Sequence, residues 1–179
     1  FGSFGGVVDS AREVMVSAKV ASGAIKSQDL VKTKAGLADT RKKLEVLRNN
    51  YGSIMPFAYI PLLGSYVSDG DHAIKAGFAG LTAADKAIEA LEPNADLLGL
   101  KGKSTFVQGS ADDRIQTAVK TMSASTPKIN EMAGSIDTLR KEIDFIDPNR
   151  YPENIGKTAI RDQIVSVKDV IEIDQTHPT

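Results

Sequence analysis

The chain has 179 residues, of which 41% are hydrophobic and 25% are charged, and these values fit one globular domain or one helical bundle. It contains no cysteine and only two histidines, so disulfide frameworks and thiolate zinc sites are excluded, and histidine-based metal centres are nearly excluded. The balanced charge, −1 in total, argues against nucleic acid as the main partner.

Two helices are predicted first. Apolar and small residues from Val7 to Ile25 recur at alternating spacings of four and three, the period of a helix with one buried face. This phase breaks between Gly23 and Asp29, where Ser27 is the expected N-cap. The second helix is expected to bury Leu30, Thr33, Leu37, Thr40, Leu44, Leu47 and Tyr51.

A third, long helix is predicted from Leu63 to Leu91 by the same spacing. Pro56 and Pro61 separate it from the second helix, and Pro93 closes it, because proline is accepted in a first turn but not in a helix interior. The glycine-rich connection that follows, residues 97–103, is long for a compact bundle. We therefore expect it to pack back onto the helices or to be functional.

The fourth helix is predicted to start at Ser110 and to be interrupted by a kink or short break near Pro127. The centre of its buried face is expected to hold Ile129, Met132, Ile136 and Leu139. A tight turn from Asp147 to Pro152 then leads to a fifth helix, with Pro152 at its start.

These elements predict an all-α fold. Since most connections are short, successive helices should run antiparallel, giving an elongated up-down bundle of about five helices with coiled-coil-like apolar faces. The whole chain, residues 1–179, is expected to be one domain. Neither end has the pattern of a natural terminus, so the chain is expected to be a piece of a longer protein.

No pattern of catalytic or cofactor-binding residues emerges. The run from Asp69 to His72 is the only cluster with metal-ligand chemistry, but nothing completes a site, so a solvated helix face is the favoured interpretation. Nucleophile-elbow, P-loop and dinucleotide-binding motifs are missing from the sequence. We therefore expect no enzyme activity, no cofactor, no metal and no small-molecule substrate.

The second helix carries an excess of basic side chains, which allows two interpretations. They form either a solvated face with some pairing to Glu45, which we favour, or a surface that faces anions or lipid headgroups. These residues are Lys32, Lys34, Arg41, Lys42, Lys43 and Arg48.

The order of elements along the chain resembles that of a known family. The order is Ile60-Pro61-Leu62-Leu63-Gly64, an alanine-rich helix, Leu97-Leu98-Gly99-Leu100, a long helix, and a proline-containing turn into a last helix. This order, over most of the chain, resembles the helical region of bacterial DUF4012 proteins. In that family the region follows an N-terminal membrane anchor and precedes a globular domain, so the resemblance implies a location outside the cytoplasmic membrane and assigns no catalytic residue.

We therefore expect a non-enzymatic, extracytoplasmic spacer and interaction domain, tethered to the cytoplasmic membrane by a segment outside this chain. Its expected partners are proteins or other cell-envelope components. The alternative is a ligand-sensing helical bundle of a bacterial receptor, which needs polar groups that converge on a cavity between helices. Thr33, Thr40 and Ser125 are the evident polar residues on the predicted buried faces.

The connection between the second and third helices is unusually apolar for a loop. If the helices alternate in direction, it lies at the same end of the bundle as the turn from Asp147 to Pro152. It either contacts the membrane interface or folds under the bundle as a hydrophobic plug, and the plug is favoured because such loops usually bury themselves. The candidate membrane or partner contacts are Phe57, Tyr59, Ile60 and Leu62.

Overall fold

The computed structural model describes residues 2–95, 111–154 and 159–172. Five α-helices make up most of these ranges: α1 (Gly2–Lys26), α2 (Leu30–Gly52), α3 (Gly64–Leu91), α4 (Ala111–Asp144) and α5 (Ile160–Glu172). Short 3₁₀ turns lie at Met55–Tyr59, Glu92–Asn94 and Pro148–Arg150. These ranges contain no β-strand, so the predicted all-α class is confirmed.

The first four helices pack in chain order, each antiparallel to the one before it. The largest interfaces are those of α1 with α2 and of α3 with α4, and a smaller α2–α3 interface joins the two hairpins. Ion pairs cross each interface: Lys43 with Glu13 at 2.8 Å, Arg41 with Asp85 at 2.8 Å, and Lys86 with Glu131 at 2.9 Å. The up-down arrangement is therefore confirmed.

The predicted buried face of α2 is confirmed over its whole length. Leu30, Thr33, Leu37, Thr40, Leu44, Leu47 and Tyr51 are all buried. The two threonines are tolerated there because each hydroxyl donates to the carbonyl oxygen four residues earlier, Asp29 for Thr33 and Gly36 for Thr40, at 2.8 Å.

A glycine on α2 sets the spacing between α1 and α2. A Cβ atom on Gly36 would lie 2.9 Å from the Cα atom of Ala21, a backbone atom that can move only if the helix moves. The two helices can therefore approach this closely only because residue 36 has no side chain.

Replacing Gly36 with alanine is expected to lower the free energy of unfolding by about 1–3 kcal/mol, because overpacking must push α1 away from α2. The matched control is Gly23→Ala in α1, where an added Cβ meets no atom within 4 Å. That control should gain up to about 1 kcal/mol, since alanine is the better helix former. Equal effects in urea denaturation would show that the α1–α2 spacing does not depend on Gly36.

Helix α3 lies between α2 and α4 and buries residues on two faces. Val67, Ile74 and Ile88 belong to the face toward α2, which the spacing predicted. A second face, formed by Asp69, Ala76, Ala79 and Ala83, is also buried. Small alanine side chains on this face suit the close, extensive contact with α4.

The predicted buried face of α4 is only partly correct. Ile129 is 48% exposed, and Met132, Ile136 and Leu139 are half-buried rather than central to a core. The α3-facing positions include Ser125, whose hydroxyl donates to the Ala90 carbonyl oxygen at 2.9 Å. They also include Lys128, which pairs with Glu89 at 2.9 Å. Ile129 lies one position away from this line and therefore faces solvent.

Helix boundaries differ from the predictions at three places. The N-cap of α2 is Asp29, whose side chain accepts a hydrogen bond from the Lys32 amide, and not Ser27, whose hydroxyl bonds to the Ala24 carbonyl. Helix α4 continues through Pro127 without a break. Helix α5 begins at Ile160, well after Pro152, and the Tyr151 carbonyl accepts hydrogen bonds from the Arg161 guanidinium.

Two predictions lie outside the described residues: the helix start at Ser110, and the packing of the connection 97–103.

Candidate functional site

The connection between α2 and α3, residues 54–63, forms the tip of the bundle. Its backbone is hydrogen-bonded throughout: Phe57 donates to the Ile54 carbonyl at 2.9 Å and Ile60 to the Phe57 carbonyl at 3.0 Å. The amide of Gly64 then donates to the Ile60 carbonyl at 2.9 Å, where α3 begins. The tip is therefore an ordered 3₁₀ turn followed by a second turn.

The tip exposes most of its apolar side chains. Tyr59 is 91% exposed, Leu62 is 89% exposed and Ile60 is 41% exposed. Ile54 is buried and Phe57 is half-buried. The plug interpretation is thus right for Ile54 and wrong for the crest of the tip, where Tyr59 and Leu62 are almost fully exposed.

Phe57 supports the tip from below. Its ring centroid lies 5.4 Å from that of Phe4, near the start of α1, and it packs against the buried cluster that contains Ile54 and Val67. Of the four predicted contact residues, Tyr59, Ile60 and Leu62 therefore lie at the surface, whereas Phe57 packs mainly beneath the tip.

Backbone geometry at the crest keeps Leu62 turned outward. Leu62 has φ of 73°, in the left-handed region that non-glycine residues seldom adopt. Two residues later the chain passes so close to the tip that a Cβ on Gly64 would overlap the Ala58 carbonyl oxygen. The strained backbone at Leu62 and the absence of a side chain at Gly64 together determine the orientation of the tip relative to α3.

No charged residue lies between Arg48 and Asp69 in the sequence, so the tip and both adjoining helix ends are uncharged. The two charged residues that bound this stretch, Arg48 and Asp69, do not contribute charge to the surface of the tip. The Arg48 guanidinium lies 4.9 Å from the centre of the Phe78 ring, and Asp69 is only 2% exposed. The surface of the tip therefore combines apolar and aromatic side chains without charge.

A buried polar cluster lies beneath the tip and ties it to the α4–α5 connection. Asp69 accepts hydrogen bonds from the Arg150 guanidinium at 2.7 Å and from the Tyr151 hydroxyl at 3.2 Å. The Tyr66 hydroxyl donates to the Arg150 carbonyl at 2.8 Å, and its ring meets that of Tyr151 edge to face. The turn from 147 to 152 thus lies at the same end as the tip, as predicted.

This cluster was not predicted from the sequence, and it corrects the interpretation of the run from Asp69 to His72. Asp69 does not lie on a solvated face. His72 Nδ1 lies 2.6 Å from Glu142 Oε2, with its ring stacked on Phe145. Among residues 2–95, 111–154 and 159–172, no three histidine, aspartate or glutamate side chains are grouped so as to hold a metal ion.

Tyr51 connects the cluster to α2. Its hydroxyl donates to the Val67 carbonyl at 2.8 Å. Burial, together with the nearby carboxylates of Asp71 and Asp69, raises the pKa of Tyr51 from 10.0 to about 12. Burial and the contact with Asp69 also raise the pKa of Tyr151.

The raised pKa of Tyr51 predicts that stability falls between about pH 10 and pH 12. Over this range the unfolded chain loses the tyrosine proton while the folded chain keeps it, so the free energy of unfolding decreases as pH rises. Melting temperatures measured from pH 9 to 12 should show this decrease. Tyr51→Phe should make it shallower, and an unchanged slope in that variant would contradict the assignment.

An open apolar groove of about 550 Å³ runs between α1, α2 and α3. Its walls include Val14, Leu44 and Leu81. The polar residues that reach it already have internal partners, since Thr40 bonds to Gly36 and Tyr51 bonds to Val67. Thr33 and Ser125, the other predicted polar positions, are not among the groove residues.

Several basic side chains of α2 pair with carboxylates. Lys34 meets Glu92 at 2.8 Å, Arg41 meets Asp85 and Lys43 meets Glu13. These carboxylates belong to other elements rather than to Glu45. The pairing supports the interpretation of a solvated, paired face over that of an anion-binding surface.

Within the described ranges, no helix has an apolar stretch long enough to cross a bilayer. The resemblance to DUF4012 proteins stays a prediction. No family model, no curated protein and no solved structure matches this chain.

Proposed function

We propose that this chain is a non-enzymatic helical spacer and interaction domain of a membrane-anchored cell-envelope protein, with the tip as its docking end. Antiparallel helices give it the form of a spacer, since α3 alone, with 28 residues, is about 42 Å long. The chemistry of its buried polar groups supports structure rather than catalysis, because Asp69, Thr33 and Thr40 are bonded to neighbouring parts of the chain.

The exposure of an ordered, uncharged apolar tip is the observation that carries the proposal. Exposure of apolar side chains such as Tyr59 and Leu62 to water is unfavourable, and a folded protein usually buries a cluster of them. Here the residues beneath the crest are buried or half-buried and the backbone of the tip is hydrogen-bonded, while the crest is exposed. Such an arrangement is typical of a surface that is covered by a partner.

The location outside the cytoplasmic membrane is tested by cysteine labelling of the complete natural protein in cells. Because this chain has no cysteine, Ala38→Cys adds one reactive thiol to it, at an exposed position of α2. A membrane-impermeant maleimide should label this thiol in intact cells. Ala76→Cys, which is buried in α3, is the matched control and should stay unlabelled until the protein is denatured.

Labelling of Ala38→Cys only after the cells are lysed would contradict the extracytoplasmic location. Turnover of a substrate by the purified chain would contradict the non-enzymatic assignment.

The groove favours a second candidate, a bundle that binds an apolar ligand. Its volume of about 550 Å³ is in the range of small-molecule sites, and its walls are almost entirely apolar. A single-chain amphiphile such as laurate would fit this chemistry better than a polar metabolite, since the groove's hydroxyl groups are already bonded within the chain.

A ligand in the groove must raise the melting temperature by mass action. Ala73→Phe, at an exposed position on the groove wall, should fill the groove and remove this rise. No rise with laurate in the parent chain, or an equal rise in the variant, would dismiss this second candidate.

A further inference from the structure

We infer that the tip docks by inserting its crest, Tyr59, Ile60 and Leu62, into the interfacial region of a phospholipid bilayer, without any requirement for anionic lipid. This inference rests on the proposed function in one respect only, that the tip is the docking end. It identifies the partner of that end as a lipid surface.

The composition of the crest fits the bilayer interface. Tyrosine is enriched at that depth because its ring is apolar while its hydroxyl reaches water and headgroups. Tyr59 is almost fully exposed, and Tyr66, at the start of α3, is also exposed on the same end. Leu62 and Ile60, which lie between these two tyrosines in the sequence, add exposed aliphatic surface.

The charge pattern specifies the kind of lipid contact. The stretch from residue 49 to residue 68 has no charged side chain, so no lysine or arginine of the tip can bind acidic headgroups, and no carboxylate of the tip itself opposes insertion. The nearest basic groups are engaged, Arg48 over the Phe78 ring and Arg150 with Asp69. Hydrophobic insertion should therefore be the driving force.

The shape of the tip favours a lipid surface over a protein partner. Charges that complement those of the docking surface give a protein partner its specificity and a fast association. The crest instead protrudes from the ends of two helices and has no charges to complement. Because its backbone is already fixed by the hydrogen bonds from Phe57 to Gly64, insertion loses little conformational entropy.

The test is flotation of the purified chain with vesicles of zwitterionic phosphatidylcholine. The parent chain should float with the vesicles, and added phosphatidylserine or high salt should change the bound fraction little. The double variant Tyr59→Ser/Leu62→Asn should lower the partition constant by about tenfold or more, because two large exposed side chains no longer leave water. Asparagine is chosen because it tolerates the left-handed backbone at position 62.

A matched control separates the tip from general surface hydrophobicity. Met15 and Val16 on the side of α1 are 65% and 66% exposed, so Met15→Ser/Val16→Ser also removes two exposed apolar side chains. This control should bind vesicles as the parent does. Circular dichroism should show that both double variants stay folded with the helix content of the parent chain, since all four side chains project into solvent.

Three outcomes would overturn the inference. If the parent chain fails to float with phosphatidylcholine vesicles, the tip does not bind a lipid surface, and a protein becomes its expected partner. Equal loss in the α1 control would place the lipid contact on the side of the bundle. Binding only to phosphatidylserine vesicles would assign it to basic residues. Because vesicle binding is measured on the isolated chain, its failure leaves the cysteine-labelling result, and with it the proposed location, unaffected.

Discussion

Replacing Arg150 with alanine is expected to lower the free energy of unfolding by about 3 kcal/mol, the lower part of the range for breaking a buried ion pair. The reason is that the Asp69 carboxylate, only 2% exposed, would lose its cation while it stays buried. The hydrogen bond from the Tyr151 hydroxyl would remain, which keeps the loss from being larger.

The same reasoning predicts a rescue. Asp69→Asn removes the buried charge, so the double variant Arg150→Ala/Asp69→Asn should be more stable than Arg150→Ala alone. Arg12→Ala, which breaks an exposed pair with Asp9, is the control and should change stability by less than about 1 kcal/mol. Urea denaturation of the parent chain, the single variants Arg150→Ala and Asp69→Asn, the double variant and Arg12→Ala measures these differences. A double variant as unstable as the sum of its single changes would show that Asp69 and Arg150 are not coupled.

Leu44→Ala is the other large expected effect, with a loss of about 2–5 kcal/mol. Leu44 is 4% exposed and packs in the cluster that includes Leu47, Val67 and Ile74, so its removal leaves a cavity. Ile129→Ala on α4 is the matched comparison. Because Ile129 is 48% exposed, the loss should be no more than about 1 kcal/mol.

Denaturant unfolding of Leu44→Ala and Ile129→Ala therefore compares two aliphatic residues that the sequence pattern treats alike. A similar loss in both variants would mean that the α4 surface around Ile129 is covered in solution.

The contrast between α2 and α4 shows what apolar spacing can predict. On α2, which packs against both α1 and α3, the spacing identified every buried position from Leu30 to Tyr51 except Gly36. On α4 the spacing was just as regular, yet Ile129 is exposed. Periodicity identifies a helix and its apolar side, but the exact line of contact depends on the neighbouring helix, and that information is distributed over the chain.

The second buried face of α3 had a signal in the sequence. Asp69, Ala76 and Ala83 recur at intervals of seven residues, a period that keeps positions on one face of a helix. Small residues make this face weak on any hydrophobicity scale, so the stronger pattern of Val67, Ile74 and Ile88 dominated the prediction. A helix between two neighbours should show two such patterns.

The polar cluster under the tip had no comparable signal. Asp69 and Arg150 are far apart in the sequence, and nothing near either residue indicates that the two would meet. Up-down topology predicted that the turn from Asp147 to Pro152 would lie near the tip, which is correct. It could not predict that an arginine and a tyrosine of that turn would enclose a carboxylate of α3.

The tip itself was recognised from its composition, but its exposure was not. Apolar loops usually bury themselves, and the buried Ile54 follows that rule. Tyr59 and Leu62 depart from it because the hydrogen-bonded turns and the tight approach at Gly64 hold the crest away from the helices. Only the structure contains that geometry.

The central claim, that the crest of the tip enters a lipid interface, is tested most directly by a single tryptophan. The chain has no tryptophan, so Tyr59→Trp places one indole at the crest, and Val31→Trp places one at an exposed position at the opposite end of α2. With phosphatidylcholine vesicles, the emission of Tyr59→Trp should shift to shorter wavelength and be quenched by lipids brominated in their acyl chains, while that of Val31→Trp stays unchanged. An unchanged emission from Tyr59→Trp, or an equal shift in both chains, would contradict the claim.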